Sequence, residues 1–335
     1  MGTVDYNKKF NAFVVEEKNG SFIRSIQTKI LRDLPRNELL IRVYYSSLNY
    51  KDALSATGNK GITKKYPHTP GIDAVGVVEY SSVKAFSKGD QVIVTSYDLG
   101  MNTPGGFAEY ISVPAAWAVK LPDGLGMKES MIVGTAGFTA ATCIYKITET
   151  VKPEDGKVIV SGASGGVGSM SVSLLKQLGY EVVAISGKTK ENAYLRQLGA
   201  VEIISRIEFQ ERDLRPLLSA QYAAGIDTVG GAILENIVKS VQPYGIVTCC
   251  GNVASPGLNL TVYPFILRAV SLVGISTQNY PMDKRKLIWQ KIAGEWKPEF
   301  LATMSTEIPL DGLDASINAI LEGGLRGRTV IKLIN

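Results

Sequence analysis

Short apolar runs alternate with longer segments between residues 157 and 276, and this alternation restricts the fold more than any other feature of the sequence. Apolar runs of this length predict buried strands near residues 157–161, 181–186, 201–204, 225–228, 245–250 and 271–276. The segments between them predict helices near residues 166–179, 189–198, 208–219 and 231–241. Six strands joined by crossover helices form a parallel, doubly wound α/β sheet.

The rest of the chain lacks this alternation. Strands are predicted in the first third at residues 11–16, 38–45, 74–79 and 91–95, in a twisted antiparallel or barrel-like domain. Further helices are predicted near residues 127–145, 284–296 and 311–321, before a last strand at 329–333. Because such a C-terminal strand often returns to the first domain, we expect the parallel sheet to be inserted into a β-rich domain.

Composition excludes several classes of protein. The 36 Lys and Arg residues against 31 Asp and Glu residues leave a net charge of +5 over 335 residues. These charges are dispersed, so they favour a small anionic ligand over nucleic acid. The N-terminus lacks the apolar core of a signal peptide, and the longest uncharged run, residues 130–145, is too short for a bilayer. Three Cys residues and one His, His68, form neither a disulfide framework nor a zinc spacing, so we expect a reduced, cytoplasmic protein without metal or membrane partner.

The first strand of the alternation leads into a glycine-rich run at residues 162–168 (GASGGVG). Glycines at such a turn let the backbone approach a pyrophosphate, and the N-terminus of the following helix favours its charge. The run stands where a dinucleotide-binding motif requires it, after the first strand of the sheet. We predict that Ser164, Gly165, Gly166 and Val167 bind a nicotinamide cofactor; the alternative is a purely structural turn.

The end of the second strand distinguishes the two nicotinamide cofactors. NAD sites usually place Asp or Glu about 20 residues past the glycines, on the ribose 2′-hydroxyl. Ser186, Gly187 and Lys188 stand there instead, and Arg206 follows the third strand. Ser186 and Lys188 can donate to a 2′-phosphate that a carboxylate would repel. These four residues therefore predict NADPH, with ordinary surface cations as the alternative for Lys188 and Arg206.

Seven segments spread over essentially the whole chain form a recognisable set of motifs: residues 47–54 (SLNYKDAL), 70–73 (PGID), 134–140 (GTAGFTA), 161–169 (SGASGGVGS), 186–188 (SGK), 264–268 (PFILR) and 327–330 (GRTV). The set resembles the medium-chain dehydrogenase/reductase family, and more narrowly its zinc-independent branch of acryloyl-CoA reductases and quinone oxidoreductases. Where this chain has Lys188, relatives often carry Arg, which keeps the charge but adds a bidentate fork.

The resemblance implies a GroES-like catalytic domain, residues 1–125 and 277–335, around a Rossmann domain of residues 126–276. It also implies a homodimer and NADPH-dependent reduction of an activated double bond. Zinc-dependent relatives hold their metal with Cys, His and an acid. Here the region of the first ligand is Ser47–Asp52 and the cysteines are too few, so we expect no metal site.

Reduction of an enoyl thioester places negative charge on the carbonyl oxygen and requires a proton at the α-carbon. Asn49, Tyr50 and Asp52 bring an amide, a hydroxyl and a carboxylate into one short segment. We predict that Tyr50 lies beside the nicotinamide as hydrogen-bond or proton donor, and that Asn49 is a second catalytic residue. The alternatives are packing for the Tyr50 ring and local capping for Asn49 and Asp52, and capping is preferred for Asp52.

Five more residues complete the predicted cofactor site. Thr135 is expected to bind a cofactor phosphate or the nicotinamide amide, with helix packing as the alternative. Asn252 follows the fifth strand, and Ile275 and Ser276 end the sixth, where the carboxyl edge of a parallel sheet meets its ligand. Arg328 is expected to reach a phosphate of cofactor or substrate.

The leading hypothesis is an NADPH-dependent reductase of a small enoyl thioester such as acryloyl-CoA. The second enzymatic hypothesis is a quinone oxidoreductase of the same fold, because fold does not choose the acceptor. The third is a non-catalytic NADPH-binding protein that acts through a partner. The polar Asn49–Asp52 segment and the lack of a basic aromatic stripe argue against the third hypothesis.

Overall fold

A computed structural model describes residues 4–211 and 215–334. Its internal contacts divide the chain into two compact units. Unit 1 comprises Met1–Thr135, Gln278–Ala293 and Leu301–Asn335, and unit 2 comprises Ala136–Thr277 and Gly294–Phe300. The resemblance places the domain limits at 125/126 and 276/277. These limits stay a prediction, because a division of the chain by its internal contacts does not test them.

Fifteen strands occur in the described residues, in chain order β1 (Lys9–Lys18), β2 (Ser21–Ile30), β3 (Leu39–Ser47), β4 (Asp73–Ser81), β5 (Gln91–Thr95), β6 (Tyr110–Val113), β7 (Ala118–Lys120), β8 (Val158–Val160), β9 (Val182–Ser186), β10 (Ala200–Ser205), β11 (Tyr222–Asp227), β12 (Val241–Cys249), β13 (Ser271–Gly274), β14 (Ser305–Pro309) and β15 (Arg328–Lys332). The α-helices of the same residues are α1 (Tyr50–Ala56), α2 (Met127–Thr148), α3 (Gly166–Gln177), α4 (Asn192–Leu198), α5 (Arg206–Phe209), α6 (Gly231–Ser240), α7 (Tyr263–Arg268), α8 (Met282–Ala293) and α9 (Leu313–Leu321). None of these helices is both long and apolar enough to cross a membrane.

Unit 1 is built on a seven-stranded sheet in the order β14-β15-β3-β4-β5-β7, with β6 paired to β3. The C-terminal strand β15 pairs antiparallel with β3, which confirms its predicted return to the first part of the chain. Alternate residues of β3 and β5 face a core that includes Leu39, Ile41 and Val94. Strand β2, which the sequence analysis did not predict, pairs with β1 in a separate two-stranded sheet. Its mixture of half-buried and exposed residues hides the period-2 pattern of a strand.

Unit 2 holds the predicted parallel sheet, in the strand order β10-β9-β8-β11-β12-β13. All of its strand pairings are parallel, which confirms the predicted doubly wound sheet. The central strand β8 is fully buried, because helices cover both faces of such a sheet. All six predicted strands are present.

The helix predicted at 208–219 is wrong. Helix α5 ends at Phe209, and the described residues from 215 to 221 are not helical, while 212–214 lie outside the described residues. Pro216 cannot donate a backbone hydrogen bond within a helix. The side-chain amide of Asn236 instead donates to the carbonyls of Phe209 and Glu211, at 2.7 and 3.0 Å.

Candidate functional site

The glycine-rich loop of unit 2 joins β8 to α3. Gly162 has φ +58°, and a Cβ on Gly168 would lie 2.2 Å from the carbonyl oxygen of Gly162, so both positions require glycine. Gly165 precedes the first turn of α3, whose leading N–H groups have no partner inside the helix. The predicted residues Ser164, Gly165, Gly166 and Val167 therefore lie together at a helix N-terminus suited to an anion.

A buried carboxylate that the sequence analysis missed supports this loop. Asp227, at the end of β11, accepts hydrogen bonds from Ser161 Oγ at 2.6 Å and from the backbone N–H of Gly230 at 2.8 Å. Burial raises the pKa of Asp227, and these hydrogen bonds oppose the shift. Ser161 Oγ also accepts from the backbone N–H of Thr228 at 2.9 Å. These hydrogen bonds therefore join the ends of β8 and β11 next to the glycine-rich loop.

The four residues predicted to read the 2′-phosphate are close together. A Cβ on Gly187 would lie 2.9 Å from Nε of Arg206, so the guanidinium packs against the glycine. Ser186 Oγ accepts from the backbone N–H of Lys188 at 3.1 Å, which leaves the hydroxyl proton to donate elsewhere. Burial lowers the pKa of Lys188, and the nearby cations Lys190 and Arg206 lower it further against the opposing effect of Glu191. An anion would relieve this repulsion between cations.

The other predicted residues of unit 2 lie at the same edge of the sheet. The backbone N–H of Ile275 donates to the carbonyl of Cys249 at 2.9 Å, so Ile275 and Ser276 continue beside the end of β12. Asn252 lies in the exposed loop that follows β12. These positions follow the carboxyl ends of parallel strands, the edge at which open α/β sheets bind ligands.

In unit 1 the polar residues gather around Asp73, which is fully buried at the start of β4. Its carboxylate accepts from Ser47 Oγ at 2.7 Å, from Asn49 Nδ2 at 2.8 Å and from the backbone N–H and hydroxyl of Thr135 at 2.9 and 2.5 Å. Helix α2 is kinked at Gly134, where φ is 49°. A Cβ on Gly134 would lie within 2.6 Å of Ser47 Oγ and Asp73 Oδ2, so only glycine fits against this cluster.

Thr135 is held by this cluster in a defined orientation. Because its hydroxyl proton goes to Asp73, the oxygen faces other groups as an acceptor. An acceptor suits the amide N–H of a carboxamide and does not suit a phosphate oxygen. Of the two contacts expected for Thr135, the amide contact therefore fits the geometry, and it stays a prediction.

The expectation that Arg328 reaches a phosphate does not fit its position. The guanidinium is buried in unit 1, where it donates to the carbonyls of Ile132 and Leu48 and to Ser47 Oγ at 2.8 to 3.2 Å. Its Nη2 also lies 3.7 Å from Oδ2 of Asp73. Burial lowers the pKa of Arg328, and the neighbouring carboxylates oppose this effect. The sequence shows a cation before a strand, but only the fold shows that this cation faces the interior.

Asn49 requires a similar correction. Its side-chain amide donates to the carbonyl of Ser47 at 3.2 Å and to Asp73 at 2.8 Å, so both N–H groups are committed inside unit 1. Asp52 accepts from the backbone N–H of Asn49 at 2.8 Å and holds the start of α1, as the capping interpretation expects. Asn49 is thus a positioning residue, and its expected catalytic role does not fit this geometry.

Asp52 is fully buried and has a strongly shifted pKa. Its Oδ1 accepts from the backbone N–H groups of Gly71 and Ile72 at 3.2 and 2.9 Å. Burial, with a smaller contribution from the charge of Asp73, raises the pKa of Asp52 to about 7, while the backbone hydrogen bonds oppose the shift. Asp52 therefore joins α1 to the loop before β4.

Tyr50 is the first residue of α1 and is 40% exposed, whereas Asn49 and Asp52 are buried. The capping contacts of Asn49 and Asp52 fix the backbone from which its ring projects. An accessible phenol on a rigid backbone suits a hydrogen-bond donor to a bound molecule. The predicted role of Tyr50 stays a prediction.

A turn after β5 brings a second hydroxyl to Thr135. Ser96 and Tyr97 both have positive φ, 64° and 52°, a conformation that costs non-glycine residues roughly 1–3 kcal/mol each. Arg285 holds the turn, donating to the carbonyl of Thr95 at 3.1 Å and lying 4.5 Å above the Tyr97 ring. The turn places Ser96 Oγ 3.0 Å from Thr135 Oγ1. The sequence analysis predicted a role for neither Asp73 nor this turn. The signal that the sequence offered for Asp73 was a single Asp beside an apolar strand.

Within residues 4–211 and 215–334, no three His, Cys, Asp or Glu residues come together in a way that could hold a metal ion.

Two family models match the chain. The model described as "Alcohol dehydrogenase GroES-like domain" matches residues 35–123, and the model described as "Zinc-binding dehydrogenase" matches residues 166–293. The first match lies in unit 1. The second lies mainly in unit 2, with its end in the 278–293 segment of unit 1.

Two relatives align with almost the entire chain. A Bacillus subtilis protein named "Putative quinone oxidoreductase YhfP" is 40% identical over 97% of this chain and 99% of its own. The acrylyl-CoA reductase AcuI of Ruegeria pomeroyi is 39% identical over 96% of this chain and 98% of its own.

Solved structures agree with these matches. The Salmonella enterica yhdH oxidoreductase in complex with NADP is 39% identical and has a TM-score of 0.94 over 97% of this chain and 100% of its own. Bacillus subtilis yhfP with NAD bound is 40% identical and has a TM-score of 0.95 over the same shares of the two chains. The chain belongs to the medium-chain dehydrogenase/reductase family, with a GroES-like and a Rossmann-type part, in the branch that contains these acrylyl-CoA reductases and quinone oxidoreductases.

Proposed function

We propose that the chain is an NADPH-dependent reductase of an activated carbon–carbon double bond, acting on a small enoyl thioester such as acryloyl-CoA. The observation that carries this proposal is the 39% identity with an acrylyl-CoA reductase over 98% of that enzyme's length. The alignment covers 96% of this chain, so it extends over both units.

Unit 2 fits the proposed cofactor. The glycine-rich loop and the start of α3 suit a pyrophosphate. Arg206 packs against Gly187 at the end of β9, and residues 186–188 lack the acid that NAD sites use to bind a ribose hydroxyl. These are the residues we propose to hold the 2′-phosphate, and a bound NADPH supplies the hydride.

Residues of unit 1 are proposed to handle the proton. Hydride addition at the β-carbon leaves negative charge on the thioester oxygen and requires a proton at the α-carbon. We assign this proton to the phenol of Tyr50, whose 40% exposure makes it accessible to a bound substrate. Asn49, Asp52 and Asp73 keep Tyr50 and Thr135 in place through their buried hydrogen bonds.

A quinone oxidoreductase is the second candidate, favoured by the 40% identity with the relative of that name. The test measures NADPH oxidation with acryloyl-CoA and with a quinone in parallel, and the saturated propionyl-CoA serves as the matched control. We expect the higher kcat/KM with acryloyl-CoA. A higher value with the quinone supports the second candidate, and turnover of neither supports a non-catalytic NADPH-binding protein.

We also propose a homodimer that forms through the outer strand β13 of unit 2. This strand pairs with β12 and ends the strand order of the sheet. The segment before it exposes large apolar side chains, with Val253, Val262, Ile266 and Leu267 each 62–68% exposed. An apolar surface beside a sheet edge is typical of association between copies. Light scattering of the native protein should give twice the mass of one chain. The variant Ile266→Glu should shift the measured mass toward that of the monomer. A monomeric mass for the native protein contradicts the proposal.

A cytoplasmic location is proposed from the chemistry of the cysteines. Cys143, Cys249 and Cys250 are thiols without a disulfide. Reduced thiols are typical of the cytosol.

A further inference from the structure

Lys51 follows the proposed proton donor directly, on the first turn of α1. Tyr50 is exposed and Lys51 is half-buried. Adjacent residues of a helix lie about 100° apart around its axis, so the phenol and the ammonium leave the turn in different directions. Both groups start from one backbone segment, which the hydrogen bond between Asp52 and the N–H of Asn49 fixes. Two polar groups on one fixed turn can therefore contact different atoms of one small molecule.

The ammonium of Lys51 is held by a neutral partner. It donates to Oε1 of Gln278 at 3.2 Å. Among residues 4–211 and 215–334, no carboxylate forms an ion pair with Lys51. The amide oxygen orients the ammonium without cancelling its charge. Two of the three N–H groups of this ammonium have no partner in the described part of the chain, so they can donate to a bound molecule.

Gln278 is itself fixed to the proposed active site. Its backbone carbonyl accepts from the backbone N–H of Tyr97 at 3.0 Å. Tyr97 belongs to the turn in which Ser96 Oγ lies 3.0 Å from Thr135 Oγ1. A short series of contacts within unit 1 therefore connects Lys51 to Thr135.

Partial burial increases the effect of this charge. Burial lowers the pKa of Lys51, and the charge of Asp52 opposes the shift. Because removal of water weakens screening, a half-buried ammonium acts more strongly on a neighbouring anion than an exposed one does. A partly buried cation without an ionic partner is unfavourable in the free protein, and an anion that forms beside it removes this penalty.

We propose that the ammonium of Lys51 binds the carbonyl oxygen of the thioester and stabilises the enolate that hydride addition creates. This inference rests on the reaction proposed above. In that reaction, the hydride pair forms the new C–H bond at the β-carbon, and the electrons of the double bond shift so that the carbonyl oxygen becomes negative. When the α-carbon takes the proton of Tyr50, the carbonyl forms again, and solvent returns a proton to Tyr50. Lys51 donates to the oxygen throughout and forms no covalent bond.

The variant Lys51→Met keeps the length of the side chain and removes its charge. Its kinetics are measured with acryloyl-CoA and with acryloyl-N-acetylcysteamine, which has the same reacting group and no phosphate. We expect kcat to fall about 10²- to 10³-fold with both thioesters, as for loss of one oxyanion donor. The Kd for NADPH should stay unchanged. Lys88→Met is the matched control and should keep the native kcat, because Lys88 is 72% exposed and pairs with Glu79.

Three results would overturn the proposal. One is an unchanged kcat in Lys51→Met. Another is a loss confined to KM for acryloyl-CoA, which would assign Lys51 to a phosphate of coenzyme A. The last is a loss explained entirely by weaker binding of NADPH, which would assign Lys51 to the cofactor.

A measurement without turnover separates this inference from the proposed function. The 3-oxobutanoyl thioester of N-acetylcysteamine forms an enolate that absorbs ultraviolet light at a longer wavelength than the keto form. We expect the native protein with NADP⁺ to increase the enolate absorption and Lys51→Met to lose this increase. If the native chain reduces neither acryloyl thioester, the proposed function fails, but an enolate signal that depends on Lys51 still supports the inference. No signal with the native protein, or an equal signal with Lys51→Met, overturns it.

Gln278→Glu tests the requirement for an uncompensated charge without changing Lys51. The new carboxylate differs from the amide by one atom and should form an ion pair with the ammonium. We therefore expect kcat to fall on the order of 10-fold and the enolate absorption to decrease. If Lys51→Met does not fold, this variant decides the question, and native kcat in Gln278→Glu contradicts the proposal.

Discussion

Thr135 donates to Asp73 twice, from its backbone N–H at 2.9 Å and from its hydroxyl at 2.5 Å. The two residues are 62 positions apart in the chain. The double contact fixes Thr135 immediately after the kink at Gly134. It therefore joins the start of a strand to the middle of a helix through one buried carboxylate.

Replacing Thr135 with Val tests this contact. Valine keeps the shape and the backbone N–H but loses the hydroxyl, which donates to a buried charged group. A hydrogen bond to a charged group contributes about 1.5–3 kcal/mol, so the free energy of unfolding from urea titration should fall by about that amount. Thr135→Ser retains the hydroxyl and serves as the control. Equal stabilities of the Val and Ser variants would contradict the prediction.

Tyr50→Phe tests the proposed proton donor. The phenylalanine keeps the exposed ring and removes only the hydroxyl. If the hydroxyl acts in the transition state, kcat should fall on the order of 10²-fold, as for loss of a general acid, while KM for NADPH changes little. Stability should stay the same, because the side chain is 40% exposed. An unchanged kcat would assign the proton to water or to another group.

Cofactor preference should depend on the end of β9. Charge-assisted contacts contribute roughly 1.5–3 kcal/mol each, so one or two give a preference for NADPH of about 10- to 10⁴-fold. Because Lys188 is only partly buried, solvent screening favours the lower end. Lys188→Ala should raise KM for NADPH and leave KM for NADH nearly unchanged, and Arg206→Ala should show whether the second cation contributes. Equal kcat/KM for the two cofactors in the native chain would show that the phosphate is not recognised.

Two further variants address the same site through geometry and charge. Gly187→Ala places a Cβ 2.9 Å from Nε of Arg206, so the guanidinium must move and NADPH affinity should decrease. Ser186→Asp should repel the 2′-phosphate and favour NADH. Steady-state kinetics with both cofactors measure the change, and native NADPH affinity in Gly187→Ala would contradict the prediction that displacing the guanidinium weakens binding.

Stability should depend on pH through Asp52. The pKa of Asp52 is about 7 in the folded chain and 3.8 in the reference state. Between pH 3.8 and about 7, this carboxyl group therefore binds a proton in the folded chain that it releases in the unfolded chain. The contribution of Asp52 to stability is therefore present below about pH 4 and is lost as pH rises to about 7. Over this pH range, the melting temperature should fall more steeply for the native chain than for Asp52→Asn, whose side chain does not titrate. Parallel curves would indicate that Asp52 has an ordinary pKa.

The sequence by itself determined the features that depend on neighbouring residues. Strand β8, the glycine-rich loop and α3 follow one another directly, so their order predicts both the parallel sheet and an anion site. The end of β9 likewise carries Ser186, Gly187 and Lys188 as consecutive residues. Such patterns can be recognised in the sequence because the preferences for strand, turn and helix depend on neighbouring residues.

Only the tertiary structure decided which groups face the interior. Four distant segments supply Ser47, Asp73, Thr135 and Arg328. No spacing in the sequence shows that the carboxylate of Asp73 binds the other three residues. Arg328 therefore looks like a phosphate ligand in the sequence and is a buried structural cation in the fold. A buried charge must be paired where it lies, and its partners are chosen by packing between strands and helices rather than by chain order.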